Sequence, residues 1–530
     1  MMESNGPKQT IYTPNYMQPA KRVALNTGIL YAKMGITVFI SLYATRLILA
    51  ALGAKDYGIF NVVGGAVSML TFLNGAMAAA SQRFMSYAQG QGDEGRQKKI
   101  FNVSVALHLI IGFALVILLE LLGYFLFRGI LTIDPARMDV AKLIYHFLVV
   151  STFVKVISVP YDAVINAHEN MLFVAIIGVL EVVLKLSIAI FITYTSLDRL
   201  ASYGFLMASL AILLLLILRV YCHRKYEEVT INIRKYYDKD LFREMTSFAG
   251  WSFLNSAASL VTMQGMSIVL NSFFGTILNA AQGVANQIAG QLMAFSNTML
   301  KALNPVLVKS EGGDNRAQMI RIAMTGSKFS FFLLAFFAIP CIIETRFILE
   351  FWLKEVPEWA VVFCKLEIIR NLITQLIVVV QSGIGAEGNI KNFSIVRSVS
   401  YFLPLPLSIL AFSLGLPPYF MYVLWISSWG IIGGVIVIYY AHKNYGLSVK
   451  EYLYEVFLPC LYLFSITFFS GLLPFFLMEG SFIRLIVVGF SSSLAFILTF
   501  WFIAINFREK QLVYMLLEKI TEKYSRRRQE

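Results

Sequence analysis

The segment Val103–Phe127 is almost continuously apolar, and comparable runs recur from one end of the chain to the other. About 20 such residues cross the hydrocarbon core of a bilayer as a helix. Only 14% of the 530 residues are charged and 58% are hydrophobic, against about 25% charged in ordinary soluble domains. Depletion this deep over the whole length means that most of the chain is dissolved in lipid. A β-barrel would show alternating strands of about ten residues, whereas these runs are unbroken.

Hydropathy and breaker residues place spans near 24–50, 58–81, 101–127, 141–165, 170–194, 200–222, 248–272, 277–303, 320–343, 359–382, 391–413, 418–440, 452–476 and 482–506. The fold expected is an all-α integral membrane protein of about fourteen transmembrane helices. Lys21 and Arg22 precede an apolar stretch reaching Leu52, too long for a cleavable signal core and without a small-residue cleavage site. Lys21/Arg22, Arg96–Lys99, Arg219–Arg243, Lys309/Arg316/Arg321, Lys391, Lys443/Lys450 and Arg508–Arg528 then fall on one side. That bias puts both termini in the cytoplasm. It also accounts for the formal charge of +13 without a nucleic-acid partner. The short loop His168–Asn170 carries no Lys or Arg and is the weakest link in the topology.

These boundaries divide the chain into an N-terminal tail (1–22), an N-lobe of six helices (23–222), a connector (223–247) and a C-lobe of six helices (248–445). Two further helices (446–507) and a basic tail (508–530) follow. The lobes repeat one another. Gly53-Ala54-Lys55-Asp56 closes the first span and Gly275-Thr276-Ile277-Leu278 the seventh. The second span carries Asn61, Gly64, Ser68, Thr71, Gly75, Ala78 and Gln82; the eighth carries Asn286, Gly290, Met293, Asn297 and Asn304 in the same phase. Spacings of three and four put each set on one helical face. Gly92-Asp93 and Gly313-Asp314 end both runs. Repeated lobes around a midplane site are a recurrent transporter design. Close helix packing is the alternative for the small residues, whereas amides facing lipid are costly and point to a cavity.

Ionisable residues inside spans are expensive and need a partner or water. Lys33 falls near the midplane of the first span with no acid within four positions, and Arg46 near its outer end. Lys155 and Asp162 share a face of the fourth span. Glu181/Lys185 and Glu367/Arg370 are spaced for mutual neutralisation. Lys301 lies toward the cytoplasmic end of the eighth span. Lys33, Arg46 and Lys155, without local partners, give the first lobe positive potential suited to an anionic cargo. The cavity candidates are thus Lys33, Arg46, Asn61, Asn74, Lys155, Asp162, Asn286, Asn297, Lys301 and Arg370.

Covalent chemistry has no foothold. The four cysteines and five histidines are scattered and form neither a disulfide framework nor a metal site. No G-x-x-x-x-G-K-[ST] is present. Asp238-Lys239-Asp240 has the form of a sugar-nucleotide metal site, but its loop is too short for a nucleotide-binding domain. No cofactor is expected.

Ser41–Arg46, the run Leu52–Gly65, Phe72–Met77, Ser81–Phe84, Asn279–Gly283 and Ala302–Pro305 resemble the polysaccharide transporter family, in particular Wzx-type O-antigen flippases. That family sits within the multidrug/oligosaccharidyl-lipid/polysaccharide flippase superfamily. The resemblance implies that a polyprenyl-diphosphate-linked oligosaccharide is flipped from the cytoplasmic to the periplasmic leaflet of a bacterial inner membrane by alternating access. It implies a V-shaped cavity lined by spans 1, 2, 7 and 8, with Lys33 and Arg46 as its basic residues. A proton or sodium gradient and a polysaccharide polymerase with its chain-length proteins are the further partners of such a role. A cation-coupled multidrug exporter of the same superfamily is the rival reading.

Overall fold

The computed structural model describes residues 17–511 except 131, 132, 354 and 508; the side chains of 17–21, 42, 54, 61, 62, 66, 68–73, 129 and 130 are likewise outside the description. Most of the two tails (1–16 and 512–530) and the side chain of Asn61 therefore lie outside the described residues. Among the described residues there are helices and no strands.

The N-lobe comprises α1 (Arg22–Gly53), α2 (54–91), α3 (Glu94–Phe125), α4 (Met138–Ala167), α5 (Met171–Tyr194) and α6 (Arg199–Lys225). The C-lobe comprises α7 (Lys239–Phe274), α8 (Thr276–Gly312), α9 (Arg316–Ile343), α10 (Ala360–Gln375 and Val378–Glu387), α11 (Lys391–Ser413) and α12 (Phe420–Tyr445). Then come α13 (Val449–Leu477) and α14 (Phe482–Ala504). A short amphipathic helix, Thr345–Trp352, joins α9 to α10.

Three departures from the expected spans have local causes. No loop separates α1 from α2. The chain turns at Gly53 alone, whose φ of 74° and ψ of 166° a side chain would resist. α10 breaks at Leu376–Ile377, where Leu376 and Ile377 N–H groups donate to Ile373 and Thr374 carbonyls in a tight turn. The connector spans 226–238 rather than 223–247, because α6 runs on to Lys225 and α7 begins at Lys239. Asp238 caps α7, accepting from the Asp240 and Leu241 N–H groups. The Leu241 N–H and the Lys99 ammonium 3.0 Å away hold its carboxyl below the usual carboxylate range. The Asp-Lys-Asp run is therefore a helix start.

Among the described residues eleven helices are long and apolar enough to cross a membrane, against the fourteen spans expected. α2, α8 and α10 are not among them. Two of these carry the repeated polar faces, and the third is the broken one.

The internal repeat holds at atomic detail with a shift of 222 positions. Gly275 bends the chain between α7 and α8 with a φ of 80°, as Gly53 does between α1 and α2. Gly92 and Asp314 both have positive φ, 69° and 55°. Asp93 then caps α3 by accepting from Arg96 N–H at 2.9 Å, and Asn315 caps α9 by accepting from Gln318 N–H at 3.2 Å. Each cap satisfies a backbone donor that the helix itself cannot.

Within the N-lobe the continuous α1–α2 element packs on α4 and α5, and α4 on α3 and α6; in the C-lobe α8 packs on α9 and α10, and α7 on α11. The α1–α2 element also packs on α7 and α8, which makes the seam between lobes. α13 and α14 add to the outside of α9 through Phe331, Ala335, Leu463, Val488 and Phe496.

Candidate functional site

Among the described residues, the contacts across the seam run from mid-span to one end. Two residues from Lys33, the Tyr31 hydroxyl of α1 donates to the Phe295 carbonyl midway along α8 at 2.8 Å, and the other contacts lie at the end bearing the basic loops. Phe84 of α2 meets Phe248 of α7 edge-on at 5.9 Å. Lys309 of α8 pairs with Glu169 of the α4–α5 turn at 3.4 Å. Arg83 of α2 donates to the carbonyls of Gly385, Ala386 and Glu387 at 3.2, 3.1 and 3.2 Å, where α10 ends. At the opposite end the described ion pairs stay inside a lobe. Arg137 bridges Asp56 and Asp198 at 2.5 Å each in the N-lobe, and Arg484 binds Glu344 at 2.8 Å in the C-lobe. Among the described residues the lobes therefore meet at the basic end, with a cleft between them toward the other.

The N-lobe wall of this cleft is charged. The end of the Lys33 side chain lies against Gly178 of α5, where a side chain would overlap it. Glu181 of α5, Asp162 of α4 and Lys301 of α8 are all near enough to act on its charge. Glu181 is already engaged by Lys185 at 2.6 Å. Lys33 is thus not the isolated cation expected from its own helix. The groups that answer it come from other helices, which local spacing cannot show. Asp162 is exposed and acts with Lys33 rather than with Lys155, the residue seven positions back on its own face. Lys33 and Lys301 come from opposite lobes, and neither has an acid within 4.0 Å among the described residues.

The C-lobe wall is polar and uncharged apart from Lys301. Asn286, Gln287, Gln291, Asn297 and Lys301 are all exposed. Gly283 and Gly290 interleave with them and face open space. α8 has α1, α7, α9 and α10 as neighbours, so this face looks into the cleft, where water can solvate amides that lipid cannot.

Other candidates do not converge here. Arg46 is exposed on α1, but thirteen residues from Lys33 turn a helix to about 140° away from the same face. Lys155 is exposed on α4 without a described partner in the cleft. Asn74 is half-buried, with its side-chain carbonyl oxygen unpartnered. Arg370 is a correction: it is 9% exposed inside the C-lobe, bound to Glu367 and lying over Trp425 and Trp429 at 4.8 and 5.4 Å. It holds α10 to α12 instead of facing the cleft. Arg83, absent from the candidates, ties the lobes together beside the Lys309–Glu169 pair. Its signal was available in Gly388, a helix-ending glycine whose upstream carbonyls need a donor.

A family model described as MatE matches residues 32–192, which is most of the N-lobe. No curated protein matches the chain by sequence. Among solved structures, an outward-facing multidrug resistance MATE family transporter of the MOP superfamily superposes with a TM-score of 0.67 at 14% identity. It covers 81% of this chain and 98% of its own. MATE in its bent conformation gives 0.67 at 14% identity, covering 82% and 98%. A MOP superfamily transporter from Pyrococcus furiosus, whose binding pocket is described as of reverse polarity and suggesting a different function, gives 0.65 at 15% identity, covering 82% and 99%. Fold, seam and comparisons agree that the chain is a multi-pass membrane protein with the fold of the solved MATE transporters.

Proposed function

We propose that this protein is an alternating-access transporter that moves an anionic amphiphile, a polyprenyl-diphosphate-linked oligosaccharide, from the cytoplasmic to the outer face of a bacterial inner membrane. The supporting observation is the pair Lys33 and Lys301. Two cations from opposite lobes act on one another across the cleft, with Asp162 the one nearby acid not held by another lysine. Holding like charges together in a cleft is unfavourable until an anion joins them. A diphosphate supplies that anion. The polar wall of α8 accommodates the hydroxylated part, and the lipid tail stays in the bilayer between the lobes.

The rival reading, cation-coupled multidrug export, has its own support. One solved structure with this fold is described as a multidrug resistance transporter, which favours this reading over the first. The pocket of reversed polarity in the Pyrococcus protein is a precedent for one fold serving different cargo. Deleting the gene separates the two. Accumulation of lipid-linked oligosaccharide on the cytoplasmic leaflet, with loss of surface glycan, is expected. Unchanged glycan with drug hypersensitivity would establish the rival instead.

A further inference from the structure

Gly90 and Gly312 are 222 positions apart, the same shift that relates the two lobes. They also touch. A side chain on Gly90 would overlap the carbonyl of Lys309, and one on Gly312 would overlap the carbonyl of Tyr87. Tyr87 and Lys309 are themselves related by that shift. The contact is thus its own image under the exchange of lobes. Each glycine presents a Cα hydrogen to a helical carbonyl of the other lobe, a close approach that only a residue without Cβ allows. Gly313 adds to it, 3.1 Å from the Gly90 carbonyl for a Cβ in ideal position.

Flanking groups fasten this core asymmetrically. Arg83, seven positions before Gly90 on the same face of α2, reaches across to the three last carbonyls of α10. The residue in the corresponding place in the C-lobe is Pro305, which has nothing to offer in return. Lys309 pairs with Glu169 on the other flank.

We propose that the Gly90–Gly312 crossing, with Arg83 as its clasp, is the cytoplasmic latch of the transport cycle. Held backbone to backbone, it keeps that end shut while the cleft is open to the far side; parting the two glycines opens the cytoplasmic side. The proposal rests on the transport reading for its place in a cycle, but not for its geometry. Its symmetric core separates along one axis without dragging bulky side chains past one another. Its clasp sets how firmly the closed state is held, because three charge-assisted hydrogen bonds must pass to water on opening.

The test is thiol accessibility in inside-out membrane vesicles. Ser86, fully buried and set between Arg83 and Gly90 on the same face of α2, becomes the reporter as Ser86→Cys, with Cys222, Cys341, Cys364 and Cys460 replaced by Ala. Labelling by a membrane-impermeant maleimide is expected to be slow in this background. It should rise at least tenfold in Gly90→Ala, Gly312→Ala and Arg83→Gln. Gly489→Ala, where a Cβ meets nothing, should leave it unchanged. Background rates in all three variants, with full labelling after denaturation, would overturn the latch. If the glycine variants do not accumulate in the membrane, Arg83→Gln decides alone, since it leaves the helix crossing intact. Raised labelling with normal glycan export would leave the latch standing and refute the transport reading.

Discussion

Replacing Arg370 by Ala separates a scaffold charge from a cargo charge. Arg370 and Glu367 are 9% and 4% exposed and bound to each other within α10. Without the guanidinium, Glu367 stays buried with no cation, a change that costs about 3–5 kcal/mol in comparable sites. Loss of the Trp425 and Trp429 faces as partners adds about 0.5–2 kcal/mol. For a cooperative unit of roughly 200 residues, each kcal/mol lowers the midpoint by about 2–4 °C. The C-lobe should therefore melt roughly 7–28 °C lower, read from tryptophan fluorescence of the detergent-purified protein. The pair Glu367→Leu with Arg370→Met, which leaves no orphan charge, should recover most of that loss. A midpoint within 2 °C of the parent for Arg370→Ala, together with abolished transport, would refute the reasoning and return Arg370 to the cargo.

The cleft lysines should behave in the opposite way. Lys301→Ala and Lys33→Ala are expected to leave melting within about 1 kcal/mol of the parent, since neither has a bonded acid to orphan, while glycan export falls at least tenfold. Gly178→Ala puts a methyl where the end of Lys33 now lies. That flexible chain can move aside, so membrane abundance should stay normal and export should fall severalfold. At the far end, Arg137→Ala removes the bridge between Asp56 and Asp198; the pairs are partly solvated, and a loss of about 1 kcal/mol should appear in melting without affecting cargo preference.

The long apolar runs, the repeat and its period were legible because they depend only on residues near one another in the chain. The same holds for the glycine turns at 53 and 275 and for the polar face of α8. What escaped detection depends on distant residues. Lys33 has no acid on its own helix, so it read as unpaired; Asp162 and Glu181 lie more than a hundred positions away. Arg370 read as a cavity cation because its burial against Trp425 and Trp429 comes from α12. Arg83 lies in the stretch Ser81–Phe84, and its partners are backbone carbonyls, which carry no residue signature. The continuous α1–α2 element was hidden for a different reason: one glycine does the work of a loop.

The two additional helices sit on one lobe only. α13 and α14 pack against α9, and the buried pair Lys328–Glu509, at 2.7 Å, ties the chain beyond α14 to that same helix. In the proposed cycle the moving parts are therefore unequal, six described helices against eight. Viscous drag from the surrounding lipid grows with the size of a body, so the smaller lobe should sweep the greater arc while its partner stays nearer rest in the membrane frame. A fluorophore on α13 or α14 would ride with the slower body and serve as the fixed reference against which the other's swing is measured.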